Sequence, residues 1–332
     1  MIRIIDATLC MLDDYNLTRE QIYCFLKLMK EIGINNVQIS LAIYNSLDGK
    51  LPEGIHYFLE VDTASYINEE YPKDENIKYY FIPKQKNTDR EIGTYQINDL
   101  EEPIRITGPG ENGWIKIIGL DKLLLGGCNV GIDALKKRFP LKQLILCPED
   151  TFHCATAIAT LFLQEKGYAV VTSMMGIGNK AATEQVIMAM HVLERYMARH
   201  EFQGFVKVKD WLSEVLQTEI SPMAAVLGSR IFYVESGIHV DGILKKPSNY
   251  EPYPPELVGL ERKVILGKHS GKSAIAVQLG KCNLESGKEG CLEQLLQSVK
   301  EKVRVSGKMI SDEEFIQMAK GSGFYEKDTE HC

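Results

Sequence analysis

The chain has 332 residues, enough for one large domain and a smaller one of about 80 to 130 residues. Its 45% hydrophobic and 25% charged residues are ordinary for a globular protein and indicate neither disorder nor a fibrous repeat. The net charge of -7 and dispersed Lys and Arg argue against a nucleic-acid partner, because neutralising phosphates requires clustered cations. Without a long apolar stretch or a signal-peptide pattern, we expect a cytoplasmic protein with no membrane partner.

The N-terminal segment predicts a strand, a helix and a second strand. A short apolar run covers residues 2–5, and Thr18 and Gln21 then have the spacing of a helix capping box. Gly33 predicts the end of that helix, and residues 37–40 predict the next strand. Because strands joined through a helix run parallel, we expect a parallel sheet.

The same alternation returns in the second half of this region. Residues 144–146 and 168–172 predict strands, and residues 156–167 and 180–197 predict helices. This β-α rhythm favours a barrel or an open doubly wound sheet. The segment from 73 to 139 has short strand-like pieces separated by polar loops and permits no firm assignment.

Residues 147–154 offer a cysteine, two carboxylates and a histidine within one short stretch. One interpretation makes Asp150 and His153 ligands of a metal ion, although no known ligand spacing is matched. The other has Asp150 or Thr151 capping the following helix, with His153 in its first turn. The second interpretation fits the spacing better.

The clearest motif follows residue 220, where Pro, Gly, Tyr and His are frequent and periodicity is weak. It reads Glu-Ser-Gly-Ile-His-Val-Asp-Gly over 235–242, Lys-Pro-Ser-Asn-Tyr-Glu over 246–251, Pro-Glu-Leu-Val-Gly over 255–259 and Gly-Lys-His-Ser-Gly over 267–271. Together these motifs resemble the post-barrel region of the homocitrate synthase and 2-isopropylmalate synthase family, in particular its nitrogen-fixation type. A weaker resemblance covers residues 1–40 and 140–200.

The resemblance implies an α/β fold, a TIM-type (β/α) barrel followed by a linker and lid and small helical subdomains. Members condense acetyl-CoA with a 2-oxo acid held by a divalent metal such as Mg, Mn or Zn, and work as dimers whose lids reach the partner's barrel. By this resemblance, His239 and Tyr250 are the lid residues that act in a neighbouring site. We assign the barrel, the linker and lid, and the C-terminal helical subdomain to residues 1–203, 204–275 and 276–332.

The barrel departs from the family's pattern where the metal and substrate should bind. Cys10 and Met11 stand in place of a substrate-binding Arg and a metal-binding Asp, and Gln38 replaces an acidic residue. Pro148 and Asp150 fall on the two metal-binding His positions, and Met175 replaces an Asn. Methionine and proline do not ligate hard divalent ions. The segment between these motifs is also short by roughly forty residues, which predicts a reduced barrel with one β-α unit missing or shortened.

These observations lead to three hypotheses. The favoured one is a subunit with a catalytically silent barrel that pairs with itself or with a metal-competent synthase subunit, to which it donates His239 and Tyr250. The second is a working acyltransferase whose relocated metal site uses Asp150 and His153. The third is a non-catalytic sensor of an acyl-CoA or a 2-oxo acid. The sequence does not identify the 2-oxo acid.

Overall fold

The computed structural model describes residues 3–83, 89–101, 113–235, 237–286 and 290–326. The chain divides into two compact units. The first extends to Ser221 and includes Ala225–Leu227, and the second comprises Pro222–Ala224 and the residues from Gly228 onward. Within the described ranges, no helix combines the length and the apolar character needed to cross a membrane.

The first unit is a closed barrel of eight parallel strands. The strands are β1 (Ile4–Asp6), β2 (Asn36–Ser40), β3 (His56–Glu60), β4 (Ile77–Ile82), β5 (Glu91–Ile97), β6 (Ile115–Gly119), β7 (Leu144–Pro148) and β8 (Ala169–Thr172). Each strand pairs with the next along the chain, and β8 closes the barrel by pairing Val170 with Ile4 and Thr172 with Asp6. The predicted TIM-type barrel is therefore confirmed.

The barrel core follows from the two-residue period of its strands. Strands of a parallel barrel are covered on both faces, so β7 and β8 are buried along their whole length. One buried cluster collects side chains from six strands, namely Ile5, Ala7, Phe58, Phe81, Ile92, Ile145, Cys147, Ala169 and Val171. These layers leave only the two ends of the barrel open to ligands.

Eight helices connect or cover the described strands. They are α1 (Thr8–Met11), α2 (Arg19–Glu31), α3 (Leu41–Ser46), α4 (Thr63–Ile67), α5 (Cys128–Arg138), α6 (Ala155–Gln164), α7 (Thr183–Glu194) and α8 (Gly204–Leu216). The predicted capping box of Thr18 and Gln21 begins α2, and Gly33 has a positive φ of 81° just beyond its end. The helix predicted over 180–197 is shorter, because Arg195 is left-handed and ends α7.

The barrel has a full set of strands, and two of its described helices are short. All eight strands are present, so the missing β-α unit that we considered is ruled out for the strand component. The short helices α3 and α4 have 6 and 5 residues. Between β4 and β6, no described residue outside β5 is helical. The segment from 73 to 139, which the sequence left unassigned, therefore contributes β4, β5, β6 and α5.

Helix α8 packs on α2 within the first unit. The indole Nε1 of Trp211 donates a hydrogen bond to the Gln21 carbonyl at 3.1 Å, and its ring centroid lies 4.7 Å from that of Phe25. An ion pair between Lys207 and Glu31 lies on the exposed side of the same contact. The expected boundary after residue 203 coincides with the start of α8, whereas the first unit continues through this helix.

The second unit is built from small sheets and four helices around its own core. Its elements are β9 (Tyr233–Val234), α9 (Gly237–Lys245), β10 (Lys263–Val264), α10 (Lys272–Lys281), β11 (Leu284–Ser286), α11 (Cys291–Ser306), α12 (Asp312–Gly321) and β12 (Phe324–Glu326). The core includes Val240, Ile275, Leu295 and Phe315. The sequence missed α9, because its glycines lower helix propensity. The expected boundary after residue 275 lies inside α10.

We predict that Phe25→Ala lowers the free energy of unfolding by about 3–5 kcal/mol, the usual cost of removing a buried ring. Phe25 is 0% exposed and stacks on Trp211, so the cavity would open between α2 and α8. Urea unfolding measures the change. Lys27→Ala, on the exposed face of the same helix, is the matched control and should change stability by less than about 0.5 kcal/mol. Equal effects of the two substitutions would contradict this packing.

Candidate functional site

A cavity of about 740 Å³ lies at the carboxyl ends of strands β2 to β6. This is the end of a TIM barrel at which active sites are built. Its polar lining comprises Cys10, Asp13, Ser40, Glu60, Asp62, Thr63, Thr94 and Gln96. None of the described residues that line it is Lys, Arg or His. Among the residues that the structure describes, the cavity wall therefore carries carboxylates and no cation.

A lysine buried in the barrel interior contacts Glu60 of this cavity wall. Lys116, on β6, is 1% exposed, and its Nζ donates a hydrogen bond to Gln38 Oε1 at 3.1 Å. The same Nζ lies 3.8 Å from Glu60 Oε2 and 4.1 Å from the ring centroid of Phe81. Gln38 Nε2 in turn donates to Glu60. Lys116, Gln38 and Glu60 thus form a closed polar network inside the barrel.

The thiol of Cys10 is held in its neutral form by this environment. Burial raises the pKa of Cys10 well above its usual value, and the carboxylates of Glu60 and Asp13 raise it further. Burial also raises the pKa of Asp13, although the hydrogen bond donated by Ser40 Oγ at 2.7 Å opposes this. Because the thiolate is the nucleophilic and metal-binding form, Cys10 is poorly suited to either role.

The barrel residues do not fit the divalent metal that the resemblance implies. Within the described residues, no three His, Cys, Asp or Glu side chains are grouped as a metal site would require. Met11 packs its Sδ against Gly178, where an added Cβ would lie only 2.3 Å away. The ammonium of Lys116 beside Glu60 would repel a second cation. We therefore assign no metal-dependent step to this barrel.

Asp150 and His153, the alternative metal ligands, lie side by side at the start of α6. Asp150 Oδ1 accepts a hydrogen bond from the Ala155 amide at 2.8 Å, so this carboxylate caps the helix. His153 Nδ1 lies 3.6 Å from Asp150 Oδ2, but the His153 side chain is 93% exposed. Nearby Glu149 is paired with Lys180 at 3.1 Å. The contacts match a helix cap better than a metal site.

His239 and Tyr250, the expected lid residues, are neighbours in the second unit. Their ring centroids are 5.7 Å apart, with the planes inclined at 61°. His239 is exposed on α9, and Tyr250 is 46% exposed. The Tyr250 hydroxyl lies directly against Gly242, where an added Cβ would be 2.1 Å away. Both side chains are therefore partly or fully exposed on the second unit, with the Tyr250 hydroxyl resting against Gly242.

The remaining motif residues hold this surface together. Glu235 Oε1 accepts a hydrogen bond from the His269 amide at 2.8 Å, and Arg262 makes a two-pronged pair with Glu251 at 2.6 Å. Gly237 lies so close to Gly271 that a Cβ would come within 2.9 Å of its Cα. Gly237 and Gly271 are thus required by a backbone contact, whereas the nearest neighbour of Gly242 is the Tyr250 side chain.

Two features of the barrel were missed by sequence reasoning. Lys116 was visible only as a lone lysine between isoleucines, a pattern that also occurs in half-exposed strands. Asp6 and Glu184 are both buried, and burial raises their pKa values to about 6 and about 7. Asp6 accepts a hydrogen bond from Thr183 Oγ1 at 2.6 Å, and Glu184 accepts one from the Met175 amide at 2.9 Å. Through these hydrogen bonds, the two carboxyl groups stabilise the turns that follow β1 and β8.

The fold and the site define a TIM-barrel protein with a post-barrel unit that carries a histidine–tyrosine pair. A family model described as "Homocitrate synthase post-HMGL domain-like" matches residues 226–306. The chain is 29% identical to "Homocitrate synthase, omega subunit" of Clostridium pasteurianum, over 92% of this chain and 91% of the relative. It is 33% identical to "2-isopropylmalate synthase" of Methanocaldococcus jannaschii, over 51% of this chain and 33% of the relative.

Among solved structures, hydroxymethylglutaryl-CoA lyase from Pseudomonas aeruginosa is 13% identical with a TM-score of 0.47, and the match covers 66% of this chain and 94% of the other. The full-length relative and the family model confirm the predicted resemblance to the homocitrate synthase and 2-isopropylmalate synthase family. The second relative is matched over only a third of its length.

We predict that Glu184→Gln removes a pH-dependent loss of stability. The folded state holds the proton of Glu184 up to about pH 7, whereas an unfolded glutamate releases it near pH 4.5. The folded protein therefore binds more protons in this window, and stability falls as pH rises through it. Urea unfolding should show Glu184→Gln gaining on the order of 2–3 kcal/mol relative to wild type between pH 4.5 and 8. A pH-independent difference, or the same gain in the exposed control Glu20→Gln, would contradict this.

We also predict an asymmetry between the partners of the buried ion pair. Glu60→Ala leaves the Lys116 ammonium buried without its counter-charge and should cost about 2 kcal/mol, below the usual range because Glu60 is 37% exposed. Lys116→Met removes the fully buried charge and leaves only the partly exposed Glu60 and the Gln38 oxygen without their partner, so it should cost less than Glu60→Ala. Chemical unfolding of the double variant should show it to be more stable than Glu60→Ala alone. A double variant less stable than either single variant would refute the ion pair.

Proposed function

We propose that this chain is a lid-contributing subunit of a synthase that condenses acetyl-CoA with a 2-oxo acid, and that its own barrel is catalytically silent. The observation that carries the proposal is that one chain combines a His239–Tyr250 pair with a barrel whose described residues include no metal-binding group of side chains. In this proposal the chain pairs with a metal-competent synthase subunit, and His239 and Tyr250 act in the barrel of that subunit.

The charge of the barrel cavity supports the proposal that this barrel is catalytically silent. A 2-oxo dicarboxylate needs cations around it, and the cavity wall instead bears Asp13, Glu60 and Asp62. Lys116 offers no free charge, because Gln38 and Glu60 already bind its ammonium. The same argument disfavours a sensor that would hold a 2-oxo acid in this cavity.

The exposure and the chemistry of His239 and Tyr250 support the proposal that they act as lid residues. Deprotonating the acetyl methyl requires a base, and delivering a proton to the new alkoxide requires an acid. The imidazole of His239 and the hydroxyl of Tyr250 are groups of these two kinds, and both residues are exposed. Gly242 leaves room for the Tyr250 hydroxyl, so the pair is positioned before a partner is met.

The similarity to a protein named as the omega subunit of homocitrate synthase supports a subunit role. We do not place the metal on Asp150 and His153, because Asp150 caps α6 and the His153 ring projects into solvent. Two donors, of which one already serves a helix, are fewer than catalytic metal sites use.

The proposal predicts that the purified chain alone neither binds Mg²⁺ or Mn²⁺ stoichiometrically nor turns over acetyl-CoA. In complex with the synthase subunit that co-purifies with it, His239→Ala and Tyr250→Phe should each lower turnover by about 100-fold, the usual contribution of one proton-transfer group. Gly242→Ala should also lower turnover, because its methyl group displaces Tyr250.

His153→Ala and Tyr325→Phe are the matched controls, since both side chains are exposed and lie outside the pair. Both controls should keep full turnover. Calorimetric metal titration and a thiol-release assay of coenzyme A give the two readouts. Stoichiometric metal with turnover by the chain alone, lost in His153→Ala, would overturn the proposal in favour of a relocated metal site.

A further inference from the structure

The amino-terminal end of the barrel carries a second, smaller cavity, opposite the one described above. It has a volume of about 120 Å³, and its walls come from the starts of β1, β2, β3, β4, β6 and β8. Arg3, Asn36, Lys78, Tyr79, Trp114 and Tyr168 line it. All of these residues belong to the first unit, so the cavity is complete within the barrel.

Three aromatic rings build a rigid wall for this cavity. Trp114 stacks on Tyr168 with centroids 4.6 Å apart, and Tyr79 meets Trp114 edge-on at 5.3 Å. The Arg3 guanidinium lies 4.3 Å from the centroid of the Tyr168 ring. This cation–π contact fixes the guanidinium plane and leaves its N–H groups for other partners.

The charge at this end is positive and unpaired. Within the described residues, neither Arg3 nor Lys78 has a carboxylate inside the 4.0 Å of an ion pair. Arg3 is close enough to add to the effect of burial in lowering the pKa of Lys78. Burial, followed by Lys78 and Arg3, also lowers the pKa of His56, whose Nδ1 lies 3.3 Å from Asn36 Oδ1. Unpaired neighbouring cations are unexpected in a chain of net charge -7.

We propose that this amino-terminal cavity is a binding site for a small oxyanion, held by Arg3 and Lys78 with His56 at its edge. The guanidinium fork suits two oxygens of a phosphate or carboxylate, and the lysine adds a point charge. Asn36 is tied to the Ile4 carbonyl, with 3.5 Å between Nδ2 and that oxygen, so it orients His56 and does not compete for the anion.

The size of the cavity limits the ligand. At about 120 Å³ it is much smaller than the cavity of about 740 Å³ at the other end of the barrel. One phosphate or one short carboxylic acid fits this space, and a nucleotide does not. Phosphate and carboxylate share the same chemistry here, and the experiment must separate them.

The test follows the ring protons of His56 by NMR in the full chain while inorganic phosphate or succinate is added. Ionic strength is kept constant with NaCl, because added salt alone also screens Lys78 and Arg3 from the imidazole. A bound anion should raise the pKa of His56 and give a saturable shift. The more effective of the two anions identifies the ligand class.

Lys78→Met should weaken binding by about tenfold, as expected for one charge-assisted contact, and should fold because Lys78 is exposed. Arg3→Met should weaken it at least as much. Lys27→Met, on the exposed face of α2, removes the same charge elsewhere and should bind like wild type. No saturable shift of His56 with either anion, or equal binding by Lys78→Met and wild type, would overturn the proposal.

Discussion

The barrel interior is organised around the buried ammonium of Lys116. Removing such a charge from water costs several kcal/mol, and the structure offsets this cost with Gln38, Glu60 and the face of Phe81. Gln38 from β2 and Glu60 from β3 are therefore both engaged in binding this ammonium. A side chain that neutralises an internal cation is not free to ligate a metal ion. The rest of the cavity wall is then left acidic.

The second unit depends on a different constraint, the close approach of backbone segments. Gly237 against Gly271, and Gly242 against the Tyr250 hydroxyl, are positions at which any side chain would force the segments apart. Most residues of the motif that carries the resemblance therefore serve packing. This packing holds His239 and Tyr250 in place. It can persist unchanged while the barrel loses its metal-binding residues, since its contacts lie within one unit.

The sequence predicted the fold where local signals were strong. Thr18, Gln21 and Gly33 mark the ends of α2 through capping and a positive φ, both of which are local. The interior strands β4 to β6 were not assigned, because their burial depends on closing the barrel over distant residues. Helix α9 was missed for a similar reason, since contact with α10 stabilises it and propensity does not.

The site was predicted unevenly for the same physical reason. His239 and Tyr250 were found because a sequence motif carries them, and the structure brings their rings within 5.7 Å. Lys116 and Glu60 are separated by more than fifty residues and meet only across the barrel, so no local pattern relates them. Departures at Cys10 and Met11 indicated what the barrel lacks, but not the internal cation that lies there instead.

A proton-transfer pair alone cannot account for a Claisen-type condensation. General acid–base groups contribute about 10²–10⁴ to a rate, and stabilising the enolate and alkoxide charges usually requires a larger electrostatic contribution. The described part of this barrel offers no such contribution, because Lys116 and Lys180 are already paired with Glu60 and Glu149 and the described cavity wall is acidic. If His239 and Tyr250 act in this chemistry, the electrostatic part must come from another polypeptide. The need for a partner then follows from the chemistry of the condensation, without any likeness to a named subunit.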